Sequence, residues 1–257
     1  MTALTLSAEP GVRTALASLP ITLALAAGDA DLHALDGGRG WTERAAAAIA
    51  AGARGILVVR PSTEPRAALT ALAERAAGIP IVLDTRWRHN AAVGVAAERF
   101  GALTAGSSLL EASAVVAAET DVDDAMRDLA VLAQATAGPV GELRSVGAWP
   151  GRRVAMGRVG ALAVRLSVDV TRAGAGSARL RALGENGGVD LWVPDAGTAR
   201  AAQLTVTDPS GCVLLPTRYE SAHRAALRGL AEVVQDAGTV ADLDEFRRVL
   251  EAAEPQP

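Results

Sequence analysis

Residues 51–93, AGARGILVVRPSTEPRAALTALAERAAGIPIVLDTRWRHNAAV, carry the pattern that decides the fold. Residues 56–59 form a short apolar run typical of a buried strand, and Pro65 marks the start of a helix whose apolar residues share one side. After Gly78, residues 79–83 form a second buried strand. Strand, helix and strand in this order predict a parallel βαβ unit.

The pattern extends on both sides of this unit. Upstream, a strand is predicted at 32–35, a glycine loop follows, and a helix is predicted at 42–51. Beyond Arg86 the chain has a β-compatible run at 109–118, a helix at 122–137, and strand-like segments joined by glycine turns. Residues 162–170 alternate apolar with polar side chains, as a half-buried strand does. Two helices close the chain, the first at 219–235 with Tyr219, Ala226 and Leu230 on its buried side.

These elements predict an α/β protein of two domains. Residues 1–86 form a shortened, Rossmann-like parallel sheet. Residues 87–257 form an α+β domain, an open and mostly antiparallel sheet with helices on one face.

Composition excludes several functions. All 25 basic residues are arginine, so no lysine is present for Schiff-base chemistry or proton relay. The net charge of −4 argues against a nucleic-acid partner. No uncharged apolar run is long enough to cross a membrane, and the apolar residues 14–27, interrupted by Pro20, are interpreted as a buried strand or helix. The single Cys212 fits a reducing compartment, and we expect a cytoplasmic protein.

A dinucleotide site normally requires Gly-x-Gly-x-x-Gly between a strand and a helix, and the sequence contains no such motif in that setting. Gly174-Ala175-Gly176 lacks the third glycine and is interpreted as a turn. Gly37, Gly38 and Gly40 precede a predicted helix and are weak candidates for holding an anion through backbone amides. No metal site is predicted.

Four segments carry a resemblance to a known family: Val59-Arg60-Pro61, Arg86-Trp87-Arg88-His89-Asn90, Asp124-Ala125-Met126-Arg127-Asp128 and Gly184-Glu185-Asn186-Gly187-Gly188. They resemble, in this order, the Glu-Lys-Pro strand end, the arginine-aromatic stretch, the Asp-x-x-x-His helix and the Gly-x-x-Gly hairpin of the glucose-fructose oxidoreductase / inositol dehydrogenase / MocA family. The likeness covers most of residues 31–253. The resemblance implies an NAD(P)-dependent oxidoreductase fold and an open sheet that packs against another subunit.

The departures from this family concern its catalytic parts. The family's lysine orients substrate and relays a proton, and Arg60 stands in its place; a guanidinium does not release its proton near neutral pH. Asp128 replaces the histidine base, and a carboxylate is a weak base unless burial raises its pKa. From the resemblance, we expect the sequence before Asp31 to be too short for the family's first strand and glycine loop.

Three functional hypotheses follow. The first is a binding or partner subunit that has lost hydride transfer and for which we expect no cofactor. It would keep a pocket for a sugar-like ligand near Arg60, Arg86, Asp124 and Asp128. The second is an active NAD- or NADP-dependent dehydrogenase of a sugar or cyclitol. The third is a hydrolase or lyase using Asp124 and Asp128 as acid and base.

The candidate site residues and the other reactive side chains can also be explained by structural or ordinary surface roles. Each candidate pocket residue also has an equally good structural role, in an ion pair or a solvated helix start. Arg88 and His89 fit either a pocket or ordinary surface charge. His33 and His223 are interpreted as structural, and Cys212 as a residue of a buried strand. We expect a homodimer or hetero-oligomer through the C-terminal sheet, with the strand 162–170 contributing.

Overall fold

A computed structural model describes residues 4–12, 23–26, 29–103, 107–198 and 200–253. The strands are β1 Leu4–Ala8, β2 Leu23–Leu25, β3 Leu32–Asp36, β4 Gly55–Val59, β5 Ile81–Asp84, β6 Ser107–Ala117, β7 Val140–Trp149, β8 Arg152–Val159, β9 Leu162–Thr171, β10 Ser177–Gly184, β11 Gly187–Pro194, β12 Gln203–Asp208 and β13 Gly211–Leu214. The helices are α1 Trp41–Ala50, α2 Arg66–Arg75, α3 Ala91–Leu103, α4 Val122–Ala137, α5 Ala222–Gln235 and α6 Asp242–Ala253.

The chain forms two compact units. The first contains residues 1–85 and 221–247, and the second contains residues 86–220 and 248–257. The chain therefore leaves the first unit close to the boundary predicted at residue 86, but the segment 221–247, which the sequence division places in the second domain, belongs with the first. Of the apolar residues 14–27, the structure describes only β2 and Ala26; the rest of that prediction lies outside the described residues.

The first unit is built on a five-stranded parallel sheet in the order β2-β1-β3-β4-β5. Strand β1 precedes Asp31 and pairs with β3, so the expectation that too little sequence lies there for a first strand is wrong. All five residues of β4 are buried, as the apolar run predicted. Since β2 lies on one side of β1 and β3 on the other, the direction of the connections reverses between β1 and β3. In open α/β sheets, ligands bind outside the carboxyl ends of the strands at such a reversal.

Helix α5 packs on this sheet. Its buried Ala226 and Leu230 lie in one hydrophobic cluster with residues of β1, β3 and β4. Burial of its apolar stripe explains why a segment so late in the sequence joins the first unit. The prediction that the helix buries Tyr219 is wrong, because Ser221 caps the helix by accepting a hydrogen bond from the Arg224 amide, and Tyr219, ahead of that cap, is 87% exposed.

The second unit contains an eight-stranded sheet in the order β13-β12-β11-β10-β6-β9-β8-β7. Only the β6–β9 pair among these is parallel. Helix α3 contacts β10, β11 and β12, and α4 contacts β6 to β9. The fold class predicted from the sequence, a parallel sheet followed by an open and mostly antiparallel one, is confirmed.

The face of the large sheet opposite α3 and α4 is open. In β9, Leu162, Val164 and Leu166 are buried while Ala163 and Arg165 are exposed. The apolar side of β9 is therefore used inside the unit, so the open face presents its polar side. Cys212 lies on β13 at the edge of the sheet and is exposed, which corrects its assignment to a buried strand.

No helix among the described residues is both long enough and apolar enough to span a membrane.

Leu230→Ala removes a fully buried side chain from the packing of α5 on the parallel sheet, and we expect it to lower the free energy of unfolding by about 2–5 kcal/mol. Leu25→Ala truncates an exposed leucine of the same unit and should change that energy by less than about 0.5 kcal/mol. Urea denaturation followed by tryptophan fluorescence measures both. An equal change in the free energy of unfolding in both variants would contradict the packing of α5 on the sheet.

Candidate functional site

The reversal between β1 and β3 is occupied by the chain itself. Directly after β1 comes Glu9, followed by a 3₁₀ turn at Pro10–Val12. The Glu9 amide donates to the Ala34 carbonyl at 3.0 Å, and its Oε2 accepts a hydrogen bond from the Asp36 amide at 2.8 Å. Its Oε1 lies 3.1 Å from Nε of Arg44. A carboxylate is thus fixed across the carboxyl ends of both strands.

Arg44, in α1, holds the loop after β3 from the other side. Its Nη2 donates to the carbonyls of Asp36 at 2.6 Å and Gly38 at 3.2 Å, and its Nη1 donates to the carbonyl of Arg39 at 3.0 Å. We call Glu9, Asp36 and Arg44 the switch-point network. It connects the ends of β1 and β3 to α1 through charge-assisted hydrogen bonds.

The amides of the glycine loop are also engaged within the chain. Gly37 donates to the Val59 carbonyl at 2.8 Å, Gly38 donates to Oδ1 of Asp36 at 2.8 Å, and Gly40 donates to the carboxylate of Glu64. Two of the three acceptors are carboxylates, which take the place that an anionic ligand would need. A side chain at Gly37 would collide with the Arg60 carbonyl, so a glycine is needed where the two loops meet.

Arg60 follows β4 in the first unit, whereas Arg86, Asp124 and Asp128 belong to the second. Arg60 is exposed and has a left-handed backbone, with φ of 54°. Its amide donates to the Asp84 carbonyl at 3.0 Å, which fixes the backbone of Arg60 at the carboxyl end of β5. Left-handed backbone is uncommon for residues other than glycine, and it is found often at functional sites.

In the second unit, Arg127 joins the two aspartates of the predicted pocket. Its Nη1 lies 2.6 Å from Oδ1 of Asp124, and its Nη2 lies 3.0 Å from Oδ1 of Asp128. Asp121 caps the start of α4 and so fixes the position of all three. Burial raises the pKa of Asp128, although the positive charges of Arg127 and Arg86 act in the opposite direction.

Arg86 connects Asp128 to a residue that sequence reasoning missed. Its Nε lies 3.9 Å from Oδ2 of Asp128, and its Nη1 lies 3.2 Å from Oδ2 of Asp195. Asp195 also accepts a hydrogen bond from Trp87 Nε1 at 2.9 Å. The Arg86 guanidinium carbon lies 5.8 Å from the ring centroid of Trp87, within reach of a cation–π contact.

The second unit therefore brings Arg86, Asp124 and Asp128 together, through Arg127 and Asp195. Arg88 and His89 are half-buried in the segment that follows Trp87. No motif pointed to Asp195, which is 109 positions from Arg86 in the sequence.

The open face of the large sheet carries a cavity of about 650 Å³. Its walls combine two aromatic side chains with polar and charged ones, including the ion pair of Arg179 with Asp190. The lining residues are Arg179, Asp190, Trp192, Arg200, Ala201, Ala202, Gln203, Thr205, Thr217 and Tyr219. None of these residues was predicted as part of a site from the sequence.

The two candidate histidines differ in their surroundings. His33 is half-buried in β3. His223, in the first turn of α5, pairs through Nδ1 with the buried carboxylate of Asp84. Among the residues that the structure describes, no group of three or more His, Cys, Asp or Glu side chains is arranged to hold a metal ion.

Several solved oxidoreductases have the fold of this chain. A Desulfitobacterium hafniense protein, provisionally assigned as an NADPH-dependent oxidoreductase, has a TM-score of 0.76 at 10% identity, over 98% of this chain and 95% of that one. The UDP-N-acetylglucosamine 3-dehydrogenase of Acidithiobacillus ferrooxidans has a TM-score of 0.72 at 15% identity, over 98% and 96%. A 3-ketoreductase of Actinomadura kijaniata, solved with NADP, has a TM-score of 0.70 at 13% identity, over 97% and 96%.

No protein-family model matches the sequence, and no curated protein sequence does either. At these identities the structural likeness establishes the fold. That fold is the one of glucose-fructose oxidoreductase / inositol dehydrogenase / MocA-type enzymes, so the fold that the resemblance implied is confirmed.

Asp195→Ala removes the acceptor of both Trp87 and Arg86, and we expect it to destabilise the second unit by about 1–3 kcal/mol, because partly buried donors lose their partner. Asp195→Asn keeps an acceptor oxygen and should lower the free energy of unfolding by less. Chemical denaturation of the two variants and the unmodified protein gives the comparison. If both variants lose the same free energy of unfolding, the hydrogen bonds of Asp195 contribute nothing to stability beyond the packing of its side chain.

Proposed function

We propose that this chain is an oxidoreductase-fold protein that has lost NAD(P)-dependent hydride transfer and acts as a binding or partner subunit in the cytoplasm. The switch-point network carries the proposal. An exposed, unpaired Cys212 is compatible with a reducing compartment.

A dinucleotide needs bare backbone amides and a helix N-terminus for its pyrophosphate. Here the segment after β1 is Glu9-Pro10-Gly11-Val12, and its glutamate supplies negative charge where the phosphates would lie. Binding a pyrophosphate there would require breaking the Glu9–Arg44 pair and the bond to the Asp36 amide, and would place phosphate oxygens beside a carboxylate. Like charges at such short range oppose binding.

The proton-handling positions support the same conclusion. Arg60 stands where the family has its lysine, and guanidinium does not serve as an acid near neutral pH. Asp128, in place of the histidine, is bonded to Arg127. Burial raises the pKa of Asp128, which favours a base, but Asp128 would have to give up its bond to Arg127 in order to accept a proton there.

The alternative is a working NAD(P)-dependent dehydrogenase of a sugar or cyclitol. Its support is the fold itself, since a 3-ketoreductase of this fold was solved with NADP and a levoglucosan dehydrogenase with NADH and L-sorbose. Under this alternative, NAD or NADP would have to displace the Glu9 carboxylate.

The second alternative, a hydrolase or lyase using Asp124 and Asp128, has less support. An acid and base pair needs two carboxyl groups with separate environments. In α4 both groups bind the same guanidinium of Arg127. We infer a structural role for Asp124 and Asp128. Arg86, which lies between Asp128 and Asp195, belongs to the same group of ion pairs. A sugar-like ligand that binds beside this group is part of the proposal.

We expect neither NAD nor NADP at about 1 mM to raise the melting temperature of the protein, because a ligand stabilises a fold only by binding it. The Actinomadura kijaniata 3-ketoreductase, which binds NADP in its crystal, is the positive control. Differential scanning fluorimetry gives the readout. A saturable rise in melting temperature with either coenzyme would favour the dehydrogenase alternative.

The open face of the large sheet is the proposed interface with a second copy or a companion subunit. Cross-strand pairs place exposed apolar side chains on this face between arginine–carboxylate pairs such as Arg165–Glu111 and Arg152–Asp169. The apolar members are Val115, Trp149, Met156, Leu183 and Leu214. Exposed apolar groups rimmed by charge are typical of protein interfaces.

We expect the protein to sediment as a dimer and the double variant Trp149→Ser, Met156→Ser to shift the equilibrium towards monomer, because it removes two exposed apolar groups from the interface. Leu25→Ser, at a site of the first unit that is more exposed than either, should leave the dimer intact. Analytical ultracentrifugation across a concentration series distinguishes them. A monomer at every concentration would refute a self-interface on this face.

A further inference from the structure

The first unit contains a histidine–carboxylate pair that the proposed function does not use. Asp84 is the last residue of β5 and is 1% exposed. Its Oδ2 is hydrogen-bonded to Nδ1 of His223, in the first turn of α5, and the His223 side chain is 15% exposed. The two residues lie 139 positions apart in the sequence, so only the packing of α5 on the sheet brings them together.

The pairing determines which nitrogen of His223 is reactive. An ionised carboxylate only accepts hydrogen bonds, so in the pair of ionised Asp84 with neutral His223 the proton lies on Nδ1 and Nε2 keeps its lone pair. Among the described residues, none makes a hydrogen bond with Nε2. A buried aspartate that holds a histidine in this tautomer is the arrangement that makes imidazole a general base in hydrolases.

Three further observations place strain and unsatisfied polar atoms around this pair. Asp84 Oδ1 and Thr85 Oγ1 are buried and have no hydrogen-bond partner among the described residues. The Thr85 amide donates to the Leu83 carbonyl at 2.9 Å, a tight three-residue turn. Arg60, whose amide is bonded to the Asp84 carbonyl, has φ of 54°. Buried unsatisfied groups and strained backbone require an explanation, and they cluster at active sites.

The position of Asp84 and Arg60 in the sheet is also one at which active sites occur. Asp84 and Arg60 lie at the carboxyl ends of β5 and β4, the edge at which open α/β sheets bind their ligands. The exposed Arg60 side chain makes no ion pair with another described residue, so no carboxylate of that part of the chain offsets the positive charge of its guanidinium. This edge therefore carries a base and a cation, and neither belongs to the switch-point network.

We propose that Asp84 and His223 form a general-base dyad that activates water for the hydrolysis of carboxylic esters. His223 Nε2 accepts one proton from water, and the hydroxide oxygen bonds to the acyl carbon. The bond from that carbon to the leaving oxygen then breaks, and the proton on Nε2 passes to the leaving group or, when the leaving group departs as a stable anion, to solvent. Arg60 supplies positive charge for the oxyanion that forms in between. No oxidant, metal or coenzyme is required.

The test uses p-nitrophenyl acetate as the probe and the full chain as the enzyme. We expect the second-order rate constant for release of p-nitrophenolate to fall about 100-fold in His223→Gln, because positioned general bases contribute at least that much. Asp84→Asn should also lower it, since the amide no longer fixes the tautomer. His33→Gln, which changes a histidine of β3 in the same unit, is the matched control and should keep the full rate.

Circular dichroism and melting temperature establish that each variant is folded. If Asp84→Asn does not fold, His223→Gln remains decisive, because its side chain lies partly at the surface. Long-range ¹H–¹⁵N spectra of the three histidines give a second readout, in which His223 should show protonated Nδ1 and unprotonated Nε2. An unchanged hydrolysis rate in folded His223→Gln, or the opposite tautomer in the unmodified protein, would overturn the proposal. Coenzyme binding has no bearing on either result.

Discussion

The hydrogen bond from the Asp36 amide to Glu9, together with the Glu9–Arg44 ion pair, is the interaction on which the functional account depends. In a parallel sheet, the strand ends at a reversal of direction leave backbone groups exposed, and dinucleotide-binding proteins satisfy these groups with a ligand. Here a glutamate and an arginine of the chain satisfy them. Under the proposed function, this interaction occupies the edge of the sheet at which a coenzyme would otherwise bind.

Much of the fold follows from local sequence pattern. The buried strands β4 and β5 were predicted from short apolar runs, α4 was predicted at its observed bounds, and the alternation in β9 gave its two faces. These features depend on residues close together in sequence, where periodicity is informative. The position of Tyr219 was predicted wrongly because the apolar pattern continues past the serine cap that begins α5.

The site was less accessible to sequence reasoning, because its contacts join distant residues. The motifs indicated Arg86, Asp124 and Asp128, but neither Asp195, which accepts from both Arg86 and Trp87, nor Arg127 as the residue that joins the aspartates. No sequence pattern marked Glu9 as a functional residue, since a lone glutamate after a strand is common. His223 was interpreted as structural, and its partner Asp84 was visible only once α5 was placed on the sheet.

A crystal structure grown with millimolar NADP tests the central claim most directly. We predict that Glu9 still accepts the Asp36 amide and still pairs with Arg44, with no coenzyme density at the carboxyl ends of β1 and β3. A dinucleotide bound at that edge, with the Glu9 carboxylate displaced, would contradict the account.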